Sequence, residues 1–474
     1  MSVITPTTNI PLELRHRHTG LSQRYCLDST PLLQRQTQRE SNARSYPRRI
    51  PLELKRAMGV YVEDSRGQVY IDCLAGAGTL ALGHNHPVVV EAIQRTLASG
   101  IPLHTLDLST SIKDAFVQTL FDLLPSEFAK DARIQFCGPT GADAVEAALK
   151  LSRTATGRHS VLAFHGAYHG MTLGTLSISG NLGPKSALGG LLSGVQFLPY
   201  PHDYRCPFGL SGEQSIDANL HYIRHLLSDP ESGVTQPAAM ILETVQGEGG
   251  VIPAPDRWLQ GLRAITREHG IPLILDEIQC GIGRTGDLFA FERSSVSPDV
   301  ITLSKAIGGG LPLSVVVYRG ELDQWQPGAH AGTFRGNQLA MAAGDATLRF
   351  IQREGITEHV RNVGARLQGV LQGLQAEFDW VGDVRGRGLM LGMEIVDPSR
   401  NDGAGRPVAD GEWARKLQRA CLERGLIVEL GGRHGATVRF LPPLIISEAE
   451  IDLVGQILYQ AAQSVQGFAL AAQQ

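Results

Sequence analysis

"LILDEIQCGIGRTG" (residues 273–286) opens on an apolar run that stops at an aspartate, Asp276. Further on, "PDVITLSKAIGGGLP" (298–312) carries a second apolar run to Lys305, with a glycine cluster just beyond it. Short continuous apolar runs of this kind read as strands buried on both faces, the mark of a parallel sheet. Ligands of open α/β sheets sit outside the carboxyl ends of the strands, so neighbouring strands would aim Asp276 and Lys305 into one crevice. Each residue alone has a plainer reading. Asp276 reads equally as a helix N-cap or an arginine's partner, and Lys305 as a surface lysine at a strand end.

Together the two have a chemistry that the plainer readings lack. A buried carboxylate is costly unless a cation or donor meets it. Gly308, Gly309 and Gly310 let the backbone fold tightly around whatever Lys305 holds. An amine made nucleophilic by desolvation forms a Schiff base with an aldehyde cofactor, and a pyridine nitrogen kept protonated needs an anion beside it. Lys305 and Asp276 are therefore candidates for the two ends of a pyridoxal phosphate.

Working outward, strand-like and helix-like segments alternate. "RIQFC" precedes the helical "GADAVEAALKLSRTAT", "AAMILETV" precedes "DRWLQGLRAITREHG", and "SVLAF" adds another apolar strand. Such alternation predicts a parallel or mostly parallel sheet with helices on its faces. "GVYVEDSRGQVYIDC" (59–73) reads as a hairpin around Asp-Ser-Arg-Gly, and 86–99 and 111–124 have helical spacing. A long helix is expected from "GTFRGNQLAMAAGDATLRFIQRE", leading to a smaller α+β unit. Residues 1–45 are polar and read as an arm that something else must order.

"CGPTGADAVEAALK" (137–150) follows a strand and opens a helix, so free N–H groups and the positive helix end could hold an anion there. An ordinary strand-to-helix turn looks the same. In "GAYHG" (166–170), Tyr168 could stack on a flat ring or be a half-buried core tyrosine. Neither stretch is a GxGxxG turn, and no Walker lysine follows, which removes dinucleotide and P-loop readings.

Composition narrows the rest. The chain has 474 residues, too many for one ordinary core, so more than one unit is expected. A net charge of −4 offers no basic face, which argues against nucleic acid or an anionic membrane as partner. The 54 glycines exceed average usage and suit a backbone that approaches ligands closely. Cys26, Cys73, Cys137, Cys206, Cys280 and Cys421 are scattered without a CxxC pair, as in a cytoplasmic protein with reduced thiols and no metal site. No signal-peptide pattern and no membrane-spanning apolar stretch is present.

These pieces, with "YIDCLAGAGTLALGHNHP", "ILETVQGEGG", "GTFRGNQLA", "RGRGLMLGMEI" and "TVRFLPPLII", resemble the class III, fold-type I pyridoxal-phosphate aminotransferases in the same order over roughly residues 45–465. The resemblance implies a large domain with a mostly parallel seven-stranded sheet flanked by helices, plus a smaller α+β domain. It divides the chain into an arm (1–45), the N-terminal part of the small domain (46–100), the large cofactor-binding domain (101–345) and the C-terminal small domain (346–474). Carried over by match, Lys305 is the Schiff-base lysine and later the acid/base, and Asp276 is the pyridinium partner. Gln279 donates to the ring phenolate, Tyr168 stacks on the ring, and Gly141 and Ala142 hold the phosphate. His169 and Glu243 join the cofactor-binding set. Thr333 resembles the threonine that reaches the phosphate from the other subunit, which implies a homodimer with shared active sites. Glu248 resembles a gate carboxylate that masks Arg439 until a 2-oxo acid needs that guanidinium.

Within the family, "RESNARSYPRRIPLELKRA", "CLAGAGTLALGHNHP" and "GTFRGNQLAMAAG" look like the diaminobutyrate–2-oxoglutarate aminotransferases, including those of siderophore or diaminopropane biosynthesis. The implied reaction moves the 4-amino group of L-2,4-diaminobutyrate to 2-oxoglutarate, reversibly. Ala77 stands where ornithine-type members carry a substrate-binding tyrosine, and Arg335 and Gln338 depart from the commonest text. Tyr46 and Arg48 are candidates for holding the donor's carboxylate, or parts of an arm that packs on a dimer partner. Ornithine, 4-aminobutyrate and lysine remain alternative donors, and a same-fold aminomutase remains an alternative reaction.

Overall fold

The computed structural model describes residues 12–472. They form two compact units: Pro87–Glu358, and the described residues up to His86 together with those from His359 onward.

The 87–358 unit is built on seven strands: β1 (Ala132–Phe136), β2 (Val161–Phe164), β3 (Val195–Leu198), β4 (Ala239–Leu242), β5 (Leu273–Asp276), β6 (Val300–Leu303) and β7 (Val315–Arg319). Their spatial order is β1-β7-β6-β5-β4-β2-β3. β3, β2, β4, β5 and β6 pair in parallel, and β7 runs antiparallel to both β6 and β1. The mostly parallel seven-stranded sheet is thus as expected, and β5 and β6 are neighbours with Asp276 beside Thr302. The strands β3 and β7 were not anticipated; half-buried "VQFL" and the mostly buried "VVVYR" lack the flanking helix pattern used to find the others.

β2, β4, β5 and β6 are buried along their whole length because helices cover both faces. Helix α1 (Gly141–Thr156) packs a face of Ala144, Val145, Ala147, Ala148 and Leu151, whose small side chains allow close approach to the sheet. Thr140 caps its start by accepting from Asp143 N, and Gly157 at φ +66° ends it. On the other side, Trp258 of α2 (Asp256–Glu268) packs on Phe164 and Tyr200 and donates Nε1 to Asn219 Oδ1 at 2.7 Å. The expected long helix near residue 332 is a short 3-10 turn, Thr333–Gly336, followed by α3 (Gln338–Arg353). Asn337 caps α3 by accepting from Ala340 N, which fixes the start beyond "TFRG".

In the other unit, the hairpin Tyr61–Asp64/Val69–Asp72 forms as expected, with Asp64 Oδ1 accepting from Arg66 N across the turn. Leu54–Met58 joins one edge and Leu426–Ile427 the other. A second sheet holds Val381–Arg387, Met390–Asn401, Thr437–Phe440 and Glu429–Gly431. The N-terminal segment, read as needing outside help, is packed by its own unit from Leu14 on. Tyr25 is buried edge-on against Tyr70 and donates its hydroxyl to Val69 O, and Arg17 forks onto the buried Glu63. No helix among the described residues is long and apolar enough to cross a membrane.

At the opposite end of the sheet from Asp276, Arg263 donates two 2.6 Å hydrogen bonds to Asp299, which also accepts from Leu273 N. Breaking such a buried pair strands one charge. Asp299→Ala is expected to lower unfolding free energy by about 3–5 kcal/mol in urea titrations. A loss below about 1 kcal/mol would show that this pair does not hold β5 and β6 together.

Candidate active site

β5 ends at Asp276, whose side chain is buried, with 3% of the residue exposed. Its Oδ2 lies 2.7 Å from His169 Nδ1, and Oδ1 accepts from Thr302 Oγ1 and Ile278 N, both at 3.1 Å. A carboxylate has about four lone-pair sites. Three are used, so one position remains for a further donor. His169 is buried, and its Nε2 has no hydrogen-bond partner among the described residues. Asp276 is therefore neither an arginine's partner nor a plain cap; histidine is its neighbour.

β6 ends at Leu303, and the chain turns through Lys305 to β7. Lys305 has φ +47°, the left-handed region where a residue with a Cβ is strained. The glycines beyond it have a structural task of their own. A Cβ on Gly309 would sit 2.6 Å from Ala343 O of α3, so the close approach of that helix requires glycine there.

A cavity of about 510 Å³ is lined by Lys305, Asp276, Gln279, Tyr168, His169, Glu243, Glu248, Thr140, Gly141 and Ala142, with Met171, Thr172 and Cys280 among its other walls. The structure thus gathers the candidate cofactor residues of this unit, except Thr333, around one space. Thr333 is exposed on its 3-10 turn. The first N–H groups of α1 open onto the cavity's helical end, and those of a first turn have no intrahelical acceptor. A Cβ on Gly141 would meet Ile278 Cδ1 at 2.9 Å, so the cradle is shaped by glycine.

The carboxylates here differ by surroundings. Glu243 accepts from Tyr168 N and Gly247 N at 3.0 and 2.9 Å, yet burial pushes its carboxyl up to about 7. Glu277, which the sequence reading passed over, accepts from Ala290 N and Thr244 Oγ1 and is likewise pushed up to about 7 by burial. Glu248 is half-buried at the cavity wall. Near the start of α1, Cys137, Asp143 and His330 bring ligand-type atoms within 4.8 Å of one another. There Asp143 already accepts from Gly138 N and pairs with His330 Nε2, which holds its carboxyl below the usual range.

The candidate substrate residues of the other unit lie on its sheet and arm. Arg439 is on Thr437–Phe440, fully buried, with Nη1 3.6 Å from Glu429 Oε2. Tyr46 donates its hydroxyl to Glu429 Oε1 at 2.7 Å. Arg48 is exposed and folded back on its own arm, donating to Arg44 O, Asn42 O and Asn42 Oδ1. Glu429 and the His169–Asp276 contact escaped the sequence reading. Strand register, visible only in the fold, puts Glu429 opposite Arg439.

A lysine, a buried aspartate and a helix start around one cavity at the carboxyl ends of a mostly parallel sheet define a fold-type I transferase. The chain belongs to the class-III aminotransferase family, whose model matches residues 43–462. It is 56% identical over 435 residues to the diaminobutyrate–2-oxoglutarate aminotransferase of Rhizobium meliloti, covering 92% of this chain and 93% of that one. The enzyme of the same description from Haemophilus influenzae is 50% identical, covering 89% and 92%. Among solved structures, an amine transaminase from an uncultivated Pseudomonas species in its PLP-bound form superposes with a TM-score of 0.79 at 29% identity, covering 89% and 97%. The Toxoplasma gondii ornithine aminotransferase gives 0.78 at 25% identity, covering 92% and 95%.

Glu277 yields a pH test. Its folded pKa lies above the unfolded value of about 4.3, so folding favours the neutral acid. Its contribution is most favourable below that unfolded value and is lost as pH rises toward about 7. Glu277→Gln keeps the shape without titrating. Between about pH 4 and pH 8, wild type should lose roughly 2–3 kcal/mol more stability than this variant in urea unfolding. Parallel curves for the two proteins would contradict the assignment.

Proposed function

We propose that this chain transfers the 4-amino group of L-2,4-diaminobutyrate to 2-oxoglutarate, giving L-aspartate 4-semialdehyde and L-glutamate, reversibly and with pyridoxal phosphate as cofactor. The observation that carries the reading is the cavity that Lys305, Asp276 and the start of α1 share. Identity of 50–56% to diaminobutyrate–2-oxoglutarate aminotransferases supports the choice of substrates.

The residues fit the cofactor on the terms of the cavity itself. The open acceptor position on Asp276 suits a protonated ring nitrogen, and the orphaned His169 Nε2 is a polar atom that a ligand could satisfy. Gly141 and Ala142 offer backbone N–H groups at a helix start for a phosphate. Bound there, the cofactor supplies an aldehyde that captures amines and a ring that withdraws electrons from the adjoining carbon. Lys305 Nζ is the amine that holds it and the base that carries a proton to and from the reacting carbon. Tyr168 walls the ring's space, with its N–H on Glu243, and Gln279 lines the same wall. His169 holds the Asp276 carboxylate in orientation.

Arg439 takes the substrate's α-carboxylate in this reading, and Glu248 is its alternating mask. Thr333 would serve the phosphate of a partner subunit, which makes the working enzyme a homodimer. Exposure of Thr333 and of Phe334, at 66%, supports a covered face there. Free cysteines, five of six of them buried, suit the cytoplasm.

The test is a donor panel of diaminobutyrate, ornithine, 4-aminobutyrate and lysine with 2-oxoglutarate. Diaminobutyrate is expected to give the highest kcat/KM, with ping-pong kinetics. A different leading donor would move the assignment to another ω-aminotransferase, and turnover without any acceptor would indicate a mutase. Lys305→Ala is expected to remove absorbance near about 420 nm, where a lysine-bound pyridoxal absorbs, and to abolish turnover. Retained yellow colour would exclude Lys305 as the attachment point.

A further inference from the structure

We propose that Arg335 and Gln338 are positioning residues for the cofactor: they fasten the 3-10 turn Thr333–Gly336 so that Thr333 is held ready for the phosphate bound by a partner subunit. The inference rests on the reading of Thr333 as a phosphate ligand across the dimer. A side chain lent to another subunit gets no help from a ligand in its own. Its pose has to be set beforehand by its own chain.

The turn does not set that pose by itself. Thr333–Gly336 is a single 3-10 turn with no side-chain cap at Gly332, and Arg335 N reaches Gly332 O only at 3.4 Å. Short 3-10 pieces have poor internal hydrogen-bond geometry, so the surroundings decide their shape. Here the surroundings are the 101–110 loop and the start of α1. Arg335, with 13% of its side chain exposed, donates Nη2 to Asp107 Oδ2 and Nη1 to His330 O at 3.1 Å. His330 in turn sets its Nε2 3.1 Å from Asp143 Oδ2 in the first turn of α1. Its carbonyl also accepts from Gln135 Nε2 of β1 at 3.0 Å.

Gln338 closes the other side. It is fully buried, and both ends of its amide are used: Oε1 accepts from Thr110 Oγ1, and Nε2 donates to Thr105 Oγ1 and Gly336 O at 3.0 and 3.1 Å. Its backbone N–H donates to Leu103 O at 3.0 Å, and Thr105 N donates to Gly336 O. A Cβ on Gly336 would lie 2.3 Å from Leu106 O, so the loop presses directly on the turn. An apolar residue at 338 would pack without choosing among poses; a buried amide with its partners in place accepts one. Thr333 and Phe334, between the inward-tied His330 and Arg335, stay exposed. The sequence marks Arg335 and Gln338 as departures from the commonest family text, and the fold fastens both to one loop.

The experiment measures cofactor affinity: the full-length enzyme is stripped and reloaded with pyridoxal phosphate, followed by absorbance near about 420 nm. Arg335→Ala is expected to raise Kd for pyridoxal phosphate about tenfold, the scale of one lost hydrogen bond to a charged group. Gln338→Ala is expected to raise it at least as much. Thr333→Ala should raise it too, and in that background Arg335→Ala should add no more than about twofold, because it acts through the threonine. A merely structural role for Arg335 would give two independent losses that multiply. Multiplying losses, or a Kd unmoved in Arg335→Ala while Thr333→Ala weakens binding, overturns the proposal. Thr333→Ala without effect removes the reading of Thr333 itself, and this proposal with it. Arg335 is partly exposed, so its variant carries the test where Gln338→Ala fails to fold.

Discussion

A carboxylate at the buried end of β5 has to be satisfied by its surroundings, and much of the 87–358 unit is arranged to do so. Thr302 stands next to Asp276 because β5 and β6 pair in parallel register. His169 reaches it from the loop after β2, and Ile278 N meets it from the following turn. These donors come from three separate parts of the chain, so the site forms only when the sheet does. Removing a single donor would leave a buried acceptor short of a partner, which is why the loop bearing Tyr168 and His169 is tied to the same point.

Acidic residues close together in the fold are given different tasks by their neighbours. Asp276 and Glu277 are adjacent in sequence, but the second turns to Ala290 N and Thr244 Oγ1. Pushed up by burial, Glu277 holds its proton to about 7 and adds little charge beside the cavity. Glu243 is pushed up to the same range, although His169 pulls the other way. Such separation of nearby carboxyls by environment gives each a different set of partners.

The sequence made the sheet and its two reactive ends legible because continuous apolar runs and terminal polar residues are local signals. "PLILD" and "VITLSK" needed no knowledge of their neighbours, and the Thr-Gly-Ala helix start announced α1. What stayed hidden was pairing. Nothing in "GAYHG" says that its histidine meets Asp276, and nothing in "IVELGG" says that its glutamate faces Arg439. Register and crossover decide those contacts, over separations of 107 residues in the first case. The antiparallel β7 was missed because no helix pattern follows it, the cue that marked the parallel strands.

That antiparallel strand bears on the lysine. A lysine in an ordinary strand-to-helix loop would be anchored on one side only. Here β6 and β7 are hydrogen-bonded neighbours, so the loop that carries Lys305 is tied at both ends. Ser304 Oγ donates to Leu313 O across its base at 2.8 Å, and the missing Cβ of Gly309 lets α3 press on its far side. A residue held at φ +47° stores strain of order 1 kcal/mol or more and persists only where its surroundings over-determine it. The hairpin provides that constraint. It fixes the direction in which Lys305 leaves the backbone at the wall of the cavity.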